Sequence, residues 1–297
     1  MNKKIIKKIV NAVPGCLLRA IPDKLYVRLL YFYSYGKLPD IKNPVTFDEK
    51  LQWYKLNYRM PGMTGLADKY EVRKYVREKG LGHILNDLYF IKDDITEADF
   101  KNLPPEYVIK ATHGCGMNII KKKADYIEAG EAVKTVRRWL RTNHYCHGRE
   151  WAYKDIRPRV ICEKYLENKQ AGELIDYKFY CFGGRPVVVF VCAGRYKPKG
   201  VRYNAYDMDW NRIYTFKGKP CLECEFPKPG NFEEMADVAK TLCGEYPFVR
   251  VDLYSVENKV YFGEMTFYPD SGIIPFEPDE INYYFGDLFI LPDKAIK

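Results

Sequence analysis

The chain has 297 residues, 15% of them aromatic, so it is globular rather than disordered and long enough for one large or two modest domains. Its net charge of +9 favours an anionic partner such as a nucleotide, an acidic saccharide or a lipid surface. The basic residues are dispersed without a zinc-finger or RRM signature, which weighs against nucleic acid. Nine cysteines, an odd number set in apolar runs such as "VICEKYL" and "YKFYCFGG", suit reduced thiols in a cytoplasmic protein better than a disulfide scaffold.

The N-terminal stretch "MNKKIIKKIVNAVPGCLLRAIP" is interrupted by Lys7 and Lys8 and is too polar for a signal peptide or a membrane span. Ile5, Ile6, Ile9 and Val10 share one helical face with lysines opposite. Two readings stay open: a helix docked on the body, or one resting peripherally on the inner, anionic membrane surface. Residues 1–60 form a helical region, and "TFDEKLQWYKL" begins with the capping signature Thr46 and Glu49. The spacing of "LADKYEVRKYVREKG" predicts a further helix ending at Gly80, and the chain to about residue 100 reads as mostly helical.

The pattern then changes. "EYVIKATHGCGMNIIKKK" reads as strand, glycine turn and strand, with Lys110 at the end of the first strand. A glycine turn exposes backbone N–H groups that can cradle phosphates, and a strand lysine adds positive charge, although GxxxxGK[ST] is absent. A helix in "EAGEAVKTVRRWLRTNHY" precedes the β-rich runs "RVICEKYLE" and "LIDYKFYCFGGRPVVVFVCAGR". Glu163 lies just before backbone that could pair with an adenine edge. Asp176 and Lys178 share a strand face, and Arg195 closes the next strand. Each of these charges could equally belong to a cross-strand ion pair or to an anion site. "HYCHG", with His144, Cys146 and His147, reads as a loop or helix end. "CLEC", Cys221 to Cys224, lacks the second pair a zinc site needs. "YDMDW" carries Asp207 and Asp209 at the DxD spacing that can hold a metal against a nucleotide sugar, and equally reads as a loop. A helix in "FEEMADVAKTLCGEY" leads to the last β run.

That run, "FVRVDLYSVENKVYFGEMTF", predicts a hairpin turning near Glu257. Period-2 alternation puts Arg250, Asp252 and Tyr254 on one face and Val249, Val251 and Leu253 on the other. Glu264 and Thr266 share a face, with Asp252 roughly opposite Glu264. Two carboxylates so placed repel unless a cation sits between them, and a hard divalent metal would serve. Neutralisation of Asp252 by Arg250 on a solvated face is the alternative. The fold class is α+β with a largely antiparallel sheet.

In order, "LADKYEVRKYV", "VIKATHGCGMN", "EWAYKDIRPRVICEKYL", "DYKFYCFGGRP" and "FVRVDLYSVENKVYFGEMTFYPDSG" resemble the TupA-like ATP-grasp proteins associated with teichuronopeptide and capsular polysaccharide synthesis. The resemblance implies an ATP-grasp fold in which two α+β subdomains clasp ATP. The ATP-grasp domain would cover 61–297, its first subdomain about 100–165 and its second about 166–275. It implies Lys69 and Lys110 as phosphate lysines, and Gly114, Cys115, Gly116 and Met117 as the phosphate loop, entered at His113. Glu163, Lys164, Tyr165 and Leu166 would form the adenine hinge, with Asp176 near the ribose. Asp252 and Glu264 would be metal carboxylates, with Arg250, Arg195 and Lys178 as the catalytic cations. The superfamily usually has Asn where this chain has Thr266, so one metal or two stays open.

The implied activity is an ATP- and Mg²⁺-dependent ligase that makes a carbon–nitrogen bond. It would join a saccharide or small-molecule carboxylate to an amine such as an amino acid. A glycosyltransferase using the DxD pair, a kinase on the same fold and a non-enzymatic polysaccharide protein are the other readings.

Overall fold

A computed structural model of the chain describes residues 20–168, 172–194, 200–217, 221 and 225–293. The stretch carrying Ile5 to Val10, Arg195 and Cys224 lies outside the described residues.

Helix α1 (Asp23–Tyr35) ends at Gly36, whose φ of 72° supplies the left-handed cap. Helix α2 (Phe47–Asn57) begins with the expected capping box, Thr46 and Glu49 satisfying each other's backbone N–H groups. Two short helices follow, α3 (Met63–Ala67) and α4 (Val72–Glu78), where periodicity predicts a single one. Asp68 makes the break. Its Oδ1 accepts from the N–H groups of Tyr70 at 2.7 Å and Glu71 at 3.1 Å, a local turn that competes with helix. Lys69 is thereby lifted out of the helical line.

A four-stranded antiparallel sheet comes next, in the order β1-β4-β2-β3. Its strands are β1 (Leu88–Lys92), β2 (Tyr107–Ala111), β3 (Asn118–Lys121) and β4 (Val160–Lys164). β1 falls in the segment that reads as helical; its short, half-buried "LYFIK" carries no clean alternation. Helix α5 (Ala129–Leu140) covers this sheet, and Val133 and Val136 pack with Ile95, Tyr107, Ile109, Val160 and Cys162 in a small core. The short helix α6 (Tyr145–Gly148) follows.

A six-stranded antiparallel sheet follows, in the order β11-β10-β5-β6-β7-β8. It comprises β5 (Asp176–Phe182), β6 (Arg185–Ala193), β7 (Arg202–Asp207), β8 (Arg212–Ile213), β10 (Phe248–Val256) and β11 (Lys259–Thr266). A two-stranded ribbon pairs β9 (Phe216–Lys217) with β12 (Phe276–Glu277). Val249, Val251 and Leu253 are fully buried on one face, where Phe179 stacks on Phe232 of helix α7 (Phe232–Cys243). On the other face Phe47 of α2 meets Phe248, Tyr180, Phe182 and Phe285, the last from helix α8 (Glu280–Leu288). This second face also carries Arg250, Asp252 and Lys178, so an aromatic core runs straight into a charged patch. No helix among the described residues is long and apolar enough to cross a membrane.

Candidate active site

The hairpin forms as expected. Val256 pairs with Lys259, and Glu257 and Asn258 between them take φ of 52° and 58°, the two-residue turn that suits the twist of paired strands. Arg250 faces Thr266, and Asp252 faces Glu264. Beyond that pair the register slips and Gly263 is the extra residue. A Cβ at Gly263 would lie 2.9 Å from the Asp252 carbonyl oxygen, so the bulge requires glycine at the point that aims Glu264.

Arg250 occupies the space between the two carboxylates. It donates from Nε to Asp252 Oδ1 at 2.6 Å and from Nη2 to Asp252 Oδ2 at 2.8 Å. Nη2 also reaches Glu264 Oε1 at 3.1 Å and Thr266 Oγ1 at 3.2 Å. Lys178, the cross-strand partner of Asp252, donates to Asp252 Oδ2. Burial alone would lower the Lys178 and Arg250 pKa values, but neighbouring Asp176 and Asp252 for Lys178, and Asp252 and Glu264 for Arg250, raise both above their ordinary values. Burial pushes the Glu264 carboxyl up, yet Lys69, Arg250 and Lys178 outweigh it and hold the group well below the usual carboxylate range.

Lys69 joins this patch to the glycine loop. Its Nζ donates to the Gly114 carbonyl at 2.8 Å and lies 3.4 Å from Glu264 Oε2. The loop itself is closed by the Ala111 N–H donating to the Met117 carbonyl, with Gly116 at φ 72° and Cys115 exposed. His113 is buried and its Nε2–H donates to the Trp139 carbonyl at 3.0 Å.

Lys110 pairs with Glu163 Oε2 at 2.7 Å, and Arg73 approaches Glu163 Oε1 at 3.3 Å. Burial works against the Lys110 ammonium, but Glu163, Glu264 and Asp176 raise its pKa overall. At the end of β4 the Lys164 carbonyl accepts from Asn86 and its N–H donates to the Asp87 carbonyl, while its side chain is exposed. Tyr165 and Leu166 are half-buried just beyond. Asp176 is buried on β5, with its charge acting on both Lys178 and Lys110. The structure therefore links Lys69, Lys178, Arg250, Asp252, Glu264 and Thr266 in one contact network, and Lys110 with Glu163 in a second one close enough for Glu264 to act on Lys110.

Two partners were not legible in sequence. Arg73 stands 90 residues from Glu163, and Arg159 holds Asp68 at 3.2 Å and Glu71 at 2.7 Å. Arg73 lies buried in helix α4, and Arg159 is half-buried just before β4. Their signal is chemical: each is an arginine beside apolar residues that otherwise read as core. The side motifs take structural roles. Asp207 accepts from the backbone of Asp209 and Asn211 and from the Asn211 side chain, so its carboxylate is engaged in the β7–β8 turn. Cys221 is a free thiol. His144 lies 3.7 Å from Glu150. No group of three or more His, Cys, Asp or Glu among the described residues is arranged to hold a metal.

Two antiparallel sheets with their covering helices, the glycine loop of the first tied through Lys69 to the carboxylate pair of the second, make an ATP-grasp fold. The chain belongs to the TupA-like ATPgrasp family, whose model matches residues 49–290. Among solved structures it is similar to D-alanine–D-alanine ligase from Bacillus anthracis complexed with ATP, at 14% identity, with 68% of this chain and 53% of that chain covered and a TM-score of 0.39. Another is D-alanine–D-alanine ligase from Helicobacter pylori, at 14% identity, 82% and 68% coverage and a TM-score of 0.43. A third is L-amino acid ligase from Bacillus licheniformis, at 15% identity, 72% and 44% coverage and a TM-score of 0.43. The chain thus spans about half the length of the B. anthracis enzyme. No curated protein matches it in sequence.

Proposed function

We propose that this chain is an ATP-dependent ligase that joins a carboxylate to an amine through an acyl phosphate. The observation that carries the reading is the convergence of Lys69, Lys178 and Arg250 on the opposed pair Asp252 and Glu264, in a chain of the ATP-grasp family. A cluster with three cations and two carboxylates keeps a net positive charge ready for an anion.

The donor set fits magnesium. Asp252, Glu264 and Thr266 offer only oxygens, as a hard divalent cation prefers. Arg250 and Lys178 hold both Asp252 oxygens, so Asp252 would have to exchange one of those contacts for the metal. Glu264 Oε2 faces Lys69 at 3.4 Å, a longer contact than any Arg250 makes, so it is the oxygen most easily given to a metal. Magnesium, when bound, would neutralise charge on the phosphoryl oxygens. The side chains of this chain do the rest. Lys69 and Lys110 would hold phosphate, with the backbone of His113 to Met117 cradling it. Glu163 to Leu166 would frame the adenine, and Asp176 the ribose. A substrate carboxylate oxygen attacks the γ-phosphorus and ADP leaves; an amine then attacks the acyl carbon and phosphate leaves, carrying that oxygen. Arg250, Lys178 and Arg195 would stabilise the charge that develops on the oxygens.

In this reading the carboxylate belongs to an acidic sugar or peptide of a cell-surface polysaccharide, and the amine is an amino acid. The chain divides into a helical region, 1–60, and an ATP-grasp domain, 61–297, with subdomains of about 100–165 and 166–275. The protein works in the cytoplasm. Peripheral contact of the basic N-terminus with the inner membrane surface, beside the alternative of docking on the body, is favoured by exposed Leu25, Leu29 and Phe32, spaced as one stripe of α1. The test is a thermal-shift series with ATP, UDP-sugars and Mg²⁺, followed by ADP release against uronic acids and amino acids. Stabilisation by a UDP-sugar and not by ATP would overturn the reading.

A further inference from the structure

After Thr266 the chain enters a tight turn in which Asp270 and Ser271 take φ of 49° and 57°. Neither is glycine. Consecutive left-handed residues persist only where their surroundings over-determine them, and they concentrate at functional sites. Here the surroundings are a clamp built from α2. Gln52 Nε2 donates to the carbonyls of Ser271 at 3.2 Å and Gly272 at 2.7 Å. Lys55 Nζ donates to the Ser271 carbonyl at 2.6 Å and to its Oγ at 2.8 Å. Gln52 and Lys55 are 0% and 1% exposed, so this is interior machinery rather than a surface contact. A Cβ at Gly272, φ 58°, would fall 2.9 Å from Leu51 Cβ, which leaves the turn no slack against the helix.

The clamp fixes where Asp270 points. Its side chain joins Lys178, Tyr180, Phe190, Tyr203 and Arg250 in lining one cleft. Lys178 and Arg250 form a cationic pole, shared with the charged patch on β10. Asp270 forms an anionic pole, and three aromatic rings supply walls that suit a cation or a sugar face. Among the described residues, nothing donates a hydrogen bond or an ion pair to the Asp270 carboxylate, although two cations line the same cleft. A half-buried carboxylate held in place at the cost of backbone strain, and left without a partner, is built for something that arrives from outside.

We propose that Asp270 recognises the amine substrate, holding it as an ammonium in this cleft and accepting one of its protons as the nitrogen becomes free to attack the acyl carbon. The proposal rests on the ligase reading and names the chemistry of its second substrate: a primary amine that enters as a cation. The cleft, about 10 Å³, has room for the ammonium head alone, so the rest of the amine lies outside it. The carboxylate of an amino acid would meet Lys178 or Arg250 only from the cleft mouth.

The decisive variant is Asp270→Asn, because asparagine tolerates left-handed backbone as aspartate does, so the charge goes while the turn stays. The full chain, with Mg²⁺ and a non-hydrolysable ATP analogue, is titrated calorimetrically with free amino acids and amino sugars and with their N-acetyl derivatives. At least one free amine should bind, its N-acetyl form should bind about tenfold more weakly or worse, and Asp270→Asn should weaken the free amine by about ten- to a hundredfold. Affinity for the ATP analogue should not change. No binding by any free amine, equal binding of an N-acetyl form, or an unchanged Asp270→Asn variant overturns the proposal. Hydroxylamine, uncharged near neutral pH, separates this from the ligase reading. If the natural chain makes no hydroxamate from ATP and uronic acids yet binds amines through Asp270, the ligase reading falls and the amine site stands. If Asp270→Asn loses hydroxamate formation as severely as amine binding, Asp270 serves carboxylate activation instead and the proposal fails.

Discussion

Asp252 and Glu264 stand directly opposite each other across β10 and β11, and a single guanidinium, that of Arg250, donates to both. Their environments differ. Asp252 is 2% exposed and held by Arg250 and Lys178, whereas the Glu264 side chain is 30% exposed and meets Lys69 at its outer oxygen. One carboxylate anchors the cluster, and the other faces the cleft.

That difference separates two substitutions. On the ligase reading, Glu264→Gln and Asp252→Asn should each lower ATP turnover by about a hundredfold or more, since each removes charge from the proposed phosphoryl site. Asp252→Asn should also lower the melting temperature, because removing one partner of a buried ion pair costs about 3 kcal/mol or more. Glu264→Gln should lower it less, because the Glu264 side chain is 30% exposed, although losing a carboxylate that Lys69 and Arg250 hold ionised still costs some stability. ADP release and differential scanning calorimetry check both, and normal turnover in the two variants would falsify the metal assignment.

Lys110 and Arg73 share Glu163 but should fail in different ways. Lys110 is 28% exposed toward the cleft, whereas Arg73 is 8% exposed and also donates to the Asn86 carbonyl at 2.8 Å. Lys110→Ala should weaken ATP-analogue binding about tenfold, the worth of one charge-assisted contact, and should also lower the melting temperature, because it leaves buried Glu163 half-paired. Arg73→Met should lower stability by roughly 3 kcal/mol by leaving a buried carboxylate half-paired. Calorimetric titration and urea unfolding distinguish them. Unchanged ATP-analogue affinity in Lys110→Ala counts against the phosphate cradle.

Much of this site was legible in the sequence, and the reason is period. A strand buried on both faces should be apolar throughout, so Arg250, Asp252 and Glu264 stood out against Val249, Val251 and Leu253, and "SVENK" marked the turn that sets them opposite. The break at Asp68 was not legible, because its turn-forming hydrogen bonds compete with a helix that periodicity alone favours. Nor was the turn at Asp270 and Ser271. Its backbone conformation depends on Gln52 and Lys55, more than two hundred residues earlier, and no local pattern announces a non-glycine left-handed pair.

His113 should make stability sensitive to mild acid. Its Nε2–H is committed to the Trp139 carbonyl, and its Nδ1 is buried without a partner. Burial holds its pKa below the ordinary 6.5 of histidine. The unfolded chain therefore binds this proton first as pH falls, and stability drops from about pH 6.5 downward until the folded pKa is reached. His113→Gln should flatten that limb between about pH 7 and 5. Urea midpoints across the range give the comparison. Parallel curves for the two proteins would show that His113 contributes nothing to it.

The last prediction concerns the chemistry itself. If the carboxylate is activated as an acyl phosphate, ATP plus the correct uronic acid should yield a hydroxamate with hydroxylamine and no amino acid present. An ¹⁸O label placed in that carboxylate should appear in the released phosphate, since that oxygen bridges carbon and phosphorus in the intermediate. Arg250 touches Asp252, Glu264 and Thr266 at once, and in the proposed mechanism its guanidinium meets the oxygen charge that develops during transfer. Arg250→Ala should depress hydroxamate formation by about a hundredfold, as removal of an oxyanion donor does. It also leaves buried Asp252 and half-buried Glu264 without their shared guanidinium, so part of the loss would be structural. Arg250→Lys, which keeps the charge but not the fork, should recover melting temperature more than rate. A kinase would leave a stable phosphate ester and no hydroxamate. Amide formed with the label wholly retained in the carboxylate would rule out the acyl phosphate.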